Sequence, residues 1–347
     1  MRKWTTILFV ILFVVGASHL LEACNKRDKE LHKTTPVTFA VPEGFPQPQY
    51  NFAANPLTKE GIELGRKLFY DGILSQDGNF PCASCHQQFA AFATFDHDLS
   101  HGFDNAFTTR NAPGLFNLAW QAAFHHDGGI NNIEVQPLAP ITAQNEMAET
   151  VENVIKKLKA DAQYRQLFQK AFGDDDINSQ RMLKALTQFQ LTLVSANSKW
   201  DKVKRGEAQF TEYEQRGYAI FQAKCNSCHT EPLFTDNSFR NNGLPVNSFL
   251  KDEGRFGITN KAEDKGKFKV PSLRNVELTF PYMHDGRYYT LEAVMEHYNS
   301  RIVQGPTLDP LLKNGIPLSR AEVVDIVAFL KTLTDRDFVK DPRFAQP

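Results

Sequence analysis

The sequence predicts a mainly α-helical fold with two related halves and long loops, and three observations lead to this class. Apolar residues recur at helical spacing in several stretches of the 347 residues. The alternating patterns typical of strands are weak throughout. The pattern C-x-x-C-H occurs twice, and in each half an Arg-Asn pair and then a His-Asp-Gly turn follow it. This repeated order indicates an internal duplication into two similar domains.

The helices follow one another along the chain with turn signals between them. Each half is expected to place a helix before its C-x-x-C-H pattern, from Thr58 in the first half and from Thr211 to Ala223 in the second. Four more helices are predicted, at 150–172, at 179–196 with Asn178 or Ser179 as its cap, at 291–298 and at 319–333. Residues 235–268 are polar and contain glycines, which is typical of a long loop.

C-x-x-C-H is the attachment signature of a c-type haem. The two thiols bond to the haem vinyl groups, and the adjacent His becomes the proximal ligand of the iron. The two copies are Cys82, Cys85 and His86, and then Cys225, Cys228 and His229. A redox C-x-x-C and half of a zinc site are the alternatives, but neither explains why a His follows directly both times. The sequence therefore predicts two covalently bound c-type haems in two cytochrome c-like domains.

Composition sets the domain boundaries and the class of partner. Residues 199–207 are charged and contain Gly206, so the boundary is placed there, with an N-terminal haem domain at 46–204 and a C-terminal one at 205–347. The formal net charge is -1 and no basic block stands out, which argues against a nucleic-acid partner. Aromatic residues make up 12%, mostly Phe, which suits either pockets for flat cofactors or a Phe-rich core.

The N-terminus predicts export. A positive start, an unbroken apolar run at 7–15 and small residues before Cys24 form a signal peptide over residues 1–23, and the run is too short for a confident membrane span. Leu21-Glu22-Ala23-Cys24 resembles a bacterial lipobox, so we expect Cys24 to carry a lipid that is the chain's membrane contact. The alternative is a soluble periplasmic protein with an unpaired Cys. Residues 24–45 are interpreted as a tether.

The ordered motifs resemble the bacterial dihaem cytochrome c peroxidases and their relative MauG over essentially the whole mature length. Besides the two haem motifs, the matching strings are Leu64-Gly65, Leu68-Phe69, Asp71, Leu74-Ser75, Arg110-Asn111-Ala112-Pro113, His126-Asp127-Gly128, Gln136, Pro140, Glu146-Met147, Pro271-Ser272-Leu273-Arg274-Asn275 and Pro281-Tyr282-Met283-His284-Asp285-Gly286. No single string is specific, whereas the ordered set is.

The resemblance implies a peroxidase that reduces hydrogen peroxide to water at the N-terminal haem. The C-terminal haem would receive electrons from a small periplasmic donor, either a c-type cytochrome or a cupredoxin. Glu146 matches the family's distal acid–base residue and Gln136 its hydrogen-bonding partner, although from the sequence alone both are ordinary polar loop residues. A carboxyl beside an apolar haem face should have a raised pKa, which suits proton transfer near neutral pH. Members are often dimers, so a second copy counts among the expected partners.

Two positions of the first half depart from the classical peroxidases. In the resting state of those enzymes a His binds the first iron, and Phe103 occupies its position in this chain. His101 or His97 could bind the iron in its place, and the alternative is that both are surface residues. The aromatic bridge between the haems is a Trp in the classical enzymes. Here His126 takes that position and Trp120 lies upstream, so both residues are candidates for the electron route between the haems.

Two features of the second half stay open, namely the distal ligand of its haem iron and a calcium site. Aligning the segment after Thr290 puts Tyr298, as in MauG, where the classical enzymes have a Met, and the alternatives are His297, Met295 and Met283. A Tyr or His ligand would lower that haem's reduction potential relative to a thioether. The resemblance also implies one calcium ion between the domains, held by Asn111 and by the carbonyls of Thr279 and Pro281, in an oxygen-rich site of the kind calcium prefers.

Two rival functions stay open. The first is a MauG-like oxidase that uses peroxide to modify a protein partner, which Phe103 and Tyr298 favour. The second is a dihaem electron carrier without enzymatic activity, which Phe103 and Glu146 argue against.

Overall fold

The computed structural model describes residues 33–347, so the predicted signal peptide and Cys24 lie outside the described residues. The helices are α1 (Lys59–Tyr70), α2 (Cys82–Cys85), α3 (Leu138–Thr142), α4 (Val151–Ala160), α5 (Ala162–Phe172), α6 (Ser179–Thr192), α7 (Lys199–Lys204), α8 (Glu212–Lys224), α9 (Phe256–Thr259), α10 (Leu291–Ser300) and α11 (Arg320–Lys331). Strands β1 (Phe239–Arg240) and β2 (Phe268–Lys269) pair antiparallel. The prediction of a mainly α-helical protein is confirmed.

Polar caps decide where the helices begin. The Asn178 side chain accepts from the Arg181 amide and starts α6, as expected from the sequence. The predicted single helix at 150–172 is two helices, because Asp161 has an extended backbone and its carboxylate caps the amides at the start of α5. The charged segment at which the sequence placed the domain boundary forms α7, whose Trp200 is buried in the second core.

Each half is built on one close crossing of two helices. In the first half α1 crosses α6, and a Cβ atom added at Gly65 would overlap the backbone carbonyl of Ala185. In the second half α8 crosses α11, and a Cβ atom at Gly217 would overlap the carbonyl of Asp325 in the same way. The two helix pairs therefore approach to backbone contact, which is sterically possible only where one helix lacks a side chain.

The loop that follows each haem motif shows which residues of the two halves occupy similar positions. Asn117 and Asn275 both have left-handed backbones, with φ of 54° and 58°. Each donates its amide to a leucine carbonyl just beyond the second crossing helix of its half, at 2.9 and 3.0 Å. Each also stands nine residues before the His of its His-Asp-Gly turn. Pairing Arg110-Asn111 with Arg274-Asn275 was therefore wrong, because Asn117 is the residue with the contacts of Asn275.

Residues 33–347 contain two apolar cores, and residues near the C-terminus cross from the second half into the first core. The first core takes in Phe338 and Phe344 from the last residues of the chain. The Phe338 ring lies 5.8 Å from that of Phe92, and the Tyr70 hydroxyl donates to the Phe344 carbonyl at 2.6 Å. Within the segment predicted as a tether, Phe45 packs on the Trp120 ring at 5.1 Å. The end of that segment is thus part of the folded body.

The two halves meet at their His-Asp-Gly turns. Gly128 has a φ of +68° and faces the Phe239 ring of the second half, whereas Gly286 has a φ of +69° and faces the backbone of Asp98 in the first. A charged cluster holds the same interface, since the Arg110 guanidinium binds Asp127 at 2.5 Å and Asp252 at 2.6 Å. Within residues 33–347, no helix is long and apolar enough to cross a membrane.

Candidate functional site

The first C-x-x-C-H motif lines a cavity that is partly open to solvent. Helix α2 carries both thiols, which are free and half-buried, and His86 ends it. The residues of this cavity that bear on its chemistry are Cys82, Cys85, His86, His101, Gln136, Glu146 and Gln190. The structure thus brings the attachment residues together with both predicted distal residues, which follow His86 by 50 and 60 positions in the sequence.

His86 is oriented by backbone carbonyls. Its Nδ1 lies 2.8 Å from the carbonyl oxygen of Phe92, so Nδ1 carries the proton and donates. Burial lowers the pKa of His86 to about 4, which keeps the ring neutral. The lone pair is then on Nε2, the arrangement in which a histidine binds a metal.

Glu146 lies against the loop that carries Phe103. The Phe103 amide donates to the Glu146 carbonyl at 2.6 Å, which ties this loop to the cavity wall. Burial raises the pKa of the Glu146 carboxyl, as expected from the sequence. Gln136 lies across the same cavity, where its Nε2 donates to Nε2 of His125 at 3.2 Å, and burial lowers the pKa of that histidine.

Sequence reasoning missed Gln190 and undervalued His101. Gln190 is buried on α6, and its Oε1 atom has no hydrogen-bond partner although the residue lines the cavity. A glutamine on the apolar face of a helix was the signal that could have found it. His101 lines the same cavity, and its Nδ1 lies 2.7 Å from Asn105. A large cofactor with polar edges fits a cavity with free thiols, a bare imidazole nitrogen and an unpartnered amide.

The second motif repeats the orientation of the first. Nδ1 of His229 lies 3.1 Å from the Phe234 carbonyl and 3.2 Å from that of Pro271, so its Nε2 keeps the lone pair. Cys225 and Cys228 are free thiols. These residues fit a covalently bound haem for the same reasons as the first set.

Tyr298 is a half-buried residue of α10. Burial raises the pKa of its phenol, and the negative charges that Cys225 and Cys228 would carry raise it further, whereas a hydrogen bond from Asn242 lowers it. His297 is buried next to it, with Nε2 at 3.0 Å from the Asn242 carbonyl.

The two methionine alternatives differ in their surroundings. The sulphur of Met283 accepts a hydrogen bond from the Asn242 side chain at 3.5 Å, so it lies close to His297, which binds the carbonyl of the same residue. Met295 is buried in the apolar core of the second half. Of the four predicted ligands, Met283 and His297 therefore both contact Asn242.

Aromatic and basic groups fill the space between the two halves. His126 donates from Nε2 to the Asn111 carbonyl at 3.0 Å, and burial lowers its pKa to about 3, with His284 nearby as a further cause. His284 is itself stacked on Phe268 at 3.8 Å. Trp120 lies elsewhere, in the first core, where its Nε1 donates to the Pro46 carbonyl at 2.7 Å.

Lys269 is an unusual cation at this interface. Its ammonium group donates to Oε1 of Gln121 at 2.5 Å and to the Ala123 carbonyl at 2.8 Å, both of them neutral acceptors in the other half. Burial lowers the pKa of Lys269 to about 8, although attraction to Asp127 opposes the shift. Sequence reasoning did not single out this residue.

The predicted calcium residues lie at the same boundary. The side-chain amide of Asn111 donates to the Asp98 carbonyl at 2.9 Å, and its backbone amide donates to the His284 carbonyl at 2.8 Å. Thr279 and Pro281 precede His284 in its loop. The described residues contain no cluster of three or more His, Cys, Asp or Glu side chains that could hold a metal, so a calcium ion here would depend on carbonyl and amide oxygens.

Comparison with known proteins gives one consistent result. Residues 59–209 match the family described as di-haem cytochrome c peroxidase. The methylamine utilization protein MauG of Methylorubrum extorquens is 38% identical over 299 residues, which cover 85% of this chain and 83% of the relative. Cytochrome c551 peroxidase of Nitrosomonas europaea is 35% identical over 296 residues, covering 81% and 82%.

A solved structure agrees with these relatives. The crystal structure of a MauG-like protein associated with microbial copper homeostasis superposes with a TM-score of 0.82 at 34% identity, covering 90% of this chain and 99% of that one. Fold and site therefore define a two-haem oxidoreductase of the c type. The chain belongs to the di-haem cytochrome c peroxidase family, which includes both peroxidases and MauG proteins.

Proposed function

We propose that this protein is a dihaem peroxidase, which reduces hydrogen peroxide to water at the first haem with electrons that enter at the second. The observation that carries the proposal is the cavity in which Glu146 and Gln136 lie with Cys82, Cys85 and His86. An iron held there supplies the redox chemistry. The residues around it must bind peroxide, orient it and move its protons.

Glu146 is the group suited to move the proton. Reduction of peroxide requires a proton to pass from one oxygen to the other before the second oxygen leaves as water. A carboxyl whose pKa is raised by burial holds and releases a proton closer to neutral pH than an exposed one. Gln136, which donates to His125, is an uncharged neighbour that can orient peroxide without competing for the proton.

Electrons would enter at the second site and cross the interface between the halves. The half-buried groups that lie there are His126, His284, Phe268 and Arg110, whose guanidinium is 5.8 Å from the Phe268 ring. The electron route would pass through His126, with Trp120 as the alternative. The donor would be a small c-type cytochrome or a cupredoxin.

Four further features belong to the same proposal. The matching helix crossings and the similar positions of Asn117 and Asn275 support descent of the two halves from one duplicated haem domain. One calcium ion would bind Asn111 and the carbonyls of Thr279 and Pro281. The protein would be exported to the periplasm and anchored by a lipid on Cys24. A second copy of the chain, forming a homodimer, would be among its partners.

The test is peroxide turnover by the purified holoprotein with a reduced small c-type cytochrome or a cupredoxin as donor. Glu146→Gln should lower the rate by a factor of about 10² to 10⁴, the usual contribution of a general acid–base group. Its covalent haem content should stay at two per chain. Turnover that is unchanged by the substitution, or absent with both donors, would contradict the proposal.

A second candidate is a MauG-like oxidase that acts on a protein partner. The Tyr at position 298, where the classical enzymes have a Met, favours it, as does the 38% identity to a MauG protein. The distinguishing measurement is the mass of periplasmic proteins incubated with the enzyme and peroxide in the absence of a donor. An oxidised partner would support this candidate, whereas inertness to peroxide under every condition would leave the carrier function.

A further inference from the structure

His125 is the residue that holds the side chain of Gln136. Its Nε2 lies 3.2 Å from Nε2 of Gln136. Because an amide nitrogen only donates hydrogen bonds, the imidazole nitrogen accepts, and one N–H of Gln136 is directed at His125. The resemblance to a family assigns roles to Gln136 and to the neighbouring His126, but none to His125.

The contact with His125 decides which end of the Gln136 amide remains for a ligand. Gln136 lines the cavity of the first haem motif, whereas His125 is not among the residues that line it. Within residues 33–347, no group donates to Oε1 of Gln136, and this oxygen is not enclosed. With its nitrogen bound to the histidine, the amide therefore offers its oxygen to the cavity.

The turn that carries His125 is held from the second half of the molecule. The Lys269 ammonium donates to the Ala123 carbonyl at 2.8 Å, and the Lys269 backbone amide donates to the His126 carbonyl at 2.6 Å. These two bonds lie on either side of His125 in the chain. His125 itself has a φ of 66°, in the left-handed region where His is one of the enriched residue types. Backbone contacts therefore set the position of its ring independently of Gln136.

We propose that His125 is a positioning residue of the first haem site, which binds an N–H of Gln136 and so leaves Oε1 of that amide to face hydrogen peroxide. The inference rests on the proposed function and adds a source of ligand specificity. An amide oxygen accepts from an O–H group of peroxide and repels an anion, whereas an amide N–H donates to an anion. The site should thus favour neutral peroxide over anionic ligands of the iron.

Fluoride is the probe for the test, because it is an anion that binds ferric haem iron and only accepts hydrogen bonds. Its affinity for the ferric holoprotein is read from the absorption spectrum, without donor or turnover. Gln136→Leu removes the whole amide and should bind fluoride at least as tightly as wild type. Binding that is about tenfold weaker, the effect of losing one hydrogen bond to a charged group, would show that an N–H faces the cavity and would overturn the inference.

Substitutions of His125 should release the amide. His125→Phe keeps an aromatic ring but has no nitrogen to bind Gln136, whose N–H can then turn toward the ligand. Fluoride should bind about tenfold more tightly than to wild type. In His125→Phe/Gln136→Leu this gain should disappear, which a general loosening of the loop would not produce.

Two further variants keep the result interpretable. His125→Asn suits the left-handed backbone and ends one atom short of the position of Nε2, so it decides by the same criteria if His125→Phe does not load haem. Gln169→Leu is the matched control for Gln136→Leu, since Gln169 is exposed on α5 and does not line the cavity. It should bind fluoride as wild type does.

The outcomes separate this inference from the proposed function. Covalent haem content is measured first, and a wild type with fewer than two haems per chain would overturn both. With two haems, equal fluoride affinity in wild type and the His125 variants would overturn the role of His125 alone. So would a ferric protein that binds fluoride in no variant, because Gln136 would then have no ligand to orient. Peroxide turnover with the reduced donors decides the proposed function separately.

Discussion

Glu146 shows how burial alone can change the chemistry of one residue. Since burial raises the pKa of its carboxyl, the folded protein favours the protonated form. The stability that this group contributes is complete below the unfolded pKa of about 4.3 and is lost as the pH rises through the folded value. Neutral pH is therefore where the buried carboxylate is costly.

We expect Glu146→Gln to be more stable than wild type at neutral pH and equal to it in acid, because the amide never ionises. The difference should reach about 1.4 kcal/mol for each unit by which the pKa is raised. Urea unfolding of both holoproteins at several pH values measures it. Glu263→Gln, at an exposed position, is the control, and a pH-independent difference for Glu146→Gln would contradict the prediction.

For Lys269 the pH dependence of stability has the opposite sign. Burial lowers its pKa to about 8, so the folded state favours the neutral amine. Its contribution to stability is present above the unfolded pKa of about 10.4 and is lost as the pH falls through 8. Wild type should therefore gain stability relative to Lys269→Gln between about pH 8 and 10. Thermal unfolding at both ends of this window tests it, with the exposed Lys261→Gln as control.

At the scale of elements, the helix crossings make a sharp prediction. Gly65→Ala and Gly217→Ala each place a methyl group against backbone of the partner helix, so the helices must separate. We expect each variant to lose about 1–3 kcal/mol or more of unfolding free energy. Gly257→Ala in α9 meets no atom within 4 Å and should cost nothing. Equal effects at the three positions in urea unfolding would contradict this.

The elements also show what the sequence could predict and what it could not. Helical periodicity and caps such as Asn178 predicted the long helices, because these signals are local. The break at Asp161 was missed, since apolar spacing continues across it. The position of Glu146 in the cavity of the first haem motif depends on a fold that brings distant loops together, so only the resemblance to a family could predict it.

For the whole molecule, the interface cluster should control how firmly the halves are held together. Arg110 neutralises Asp127 and Asp252, and the pKa of both carboxyls is lowered by its hydrogen bonds and charge. Arg110→Gln leaves two carboxylates without their cation and should cost about 3–5 kcal/mol. Arg343→Gln removes an ion pair whose arginine is 79% exposed and should cost at most about 1 kcal/mol. Thermal unfolding compares them, and similar losses would refute the prediction.

The end of the chain should matter to the half that is distant from it in sequence. Phe338 is buried in the first core against Phe92, so Phe338→Ala should cost about 3–5 kcal/mol. Hydrogen exchange should also rise at the amides of residues 88–92. Phe249→Ala, at a position that is 94% exposed, is the matched control and should change neither measurement. Faster exchange confined to the second half would show that the tail acts locally.

The position of Phe338 also has a consequence for the order of events during biosynthesis. The residues that complete the first core are made more than 250 residues after the first pair of thiols. Until Phe338 has been made, Phe92 lacks its contact with that ring, and the carbonyl of Phe92 is the one that orients His86. The first haem motif therefore cannot reach its final packing before the segment around Phe338 is present.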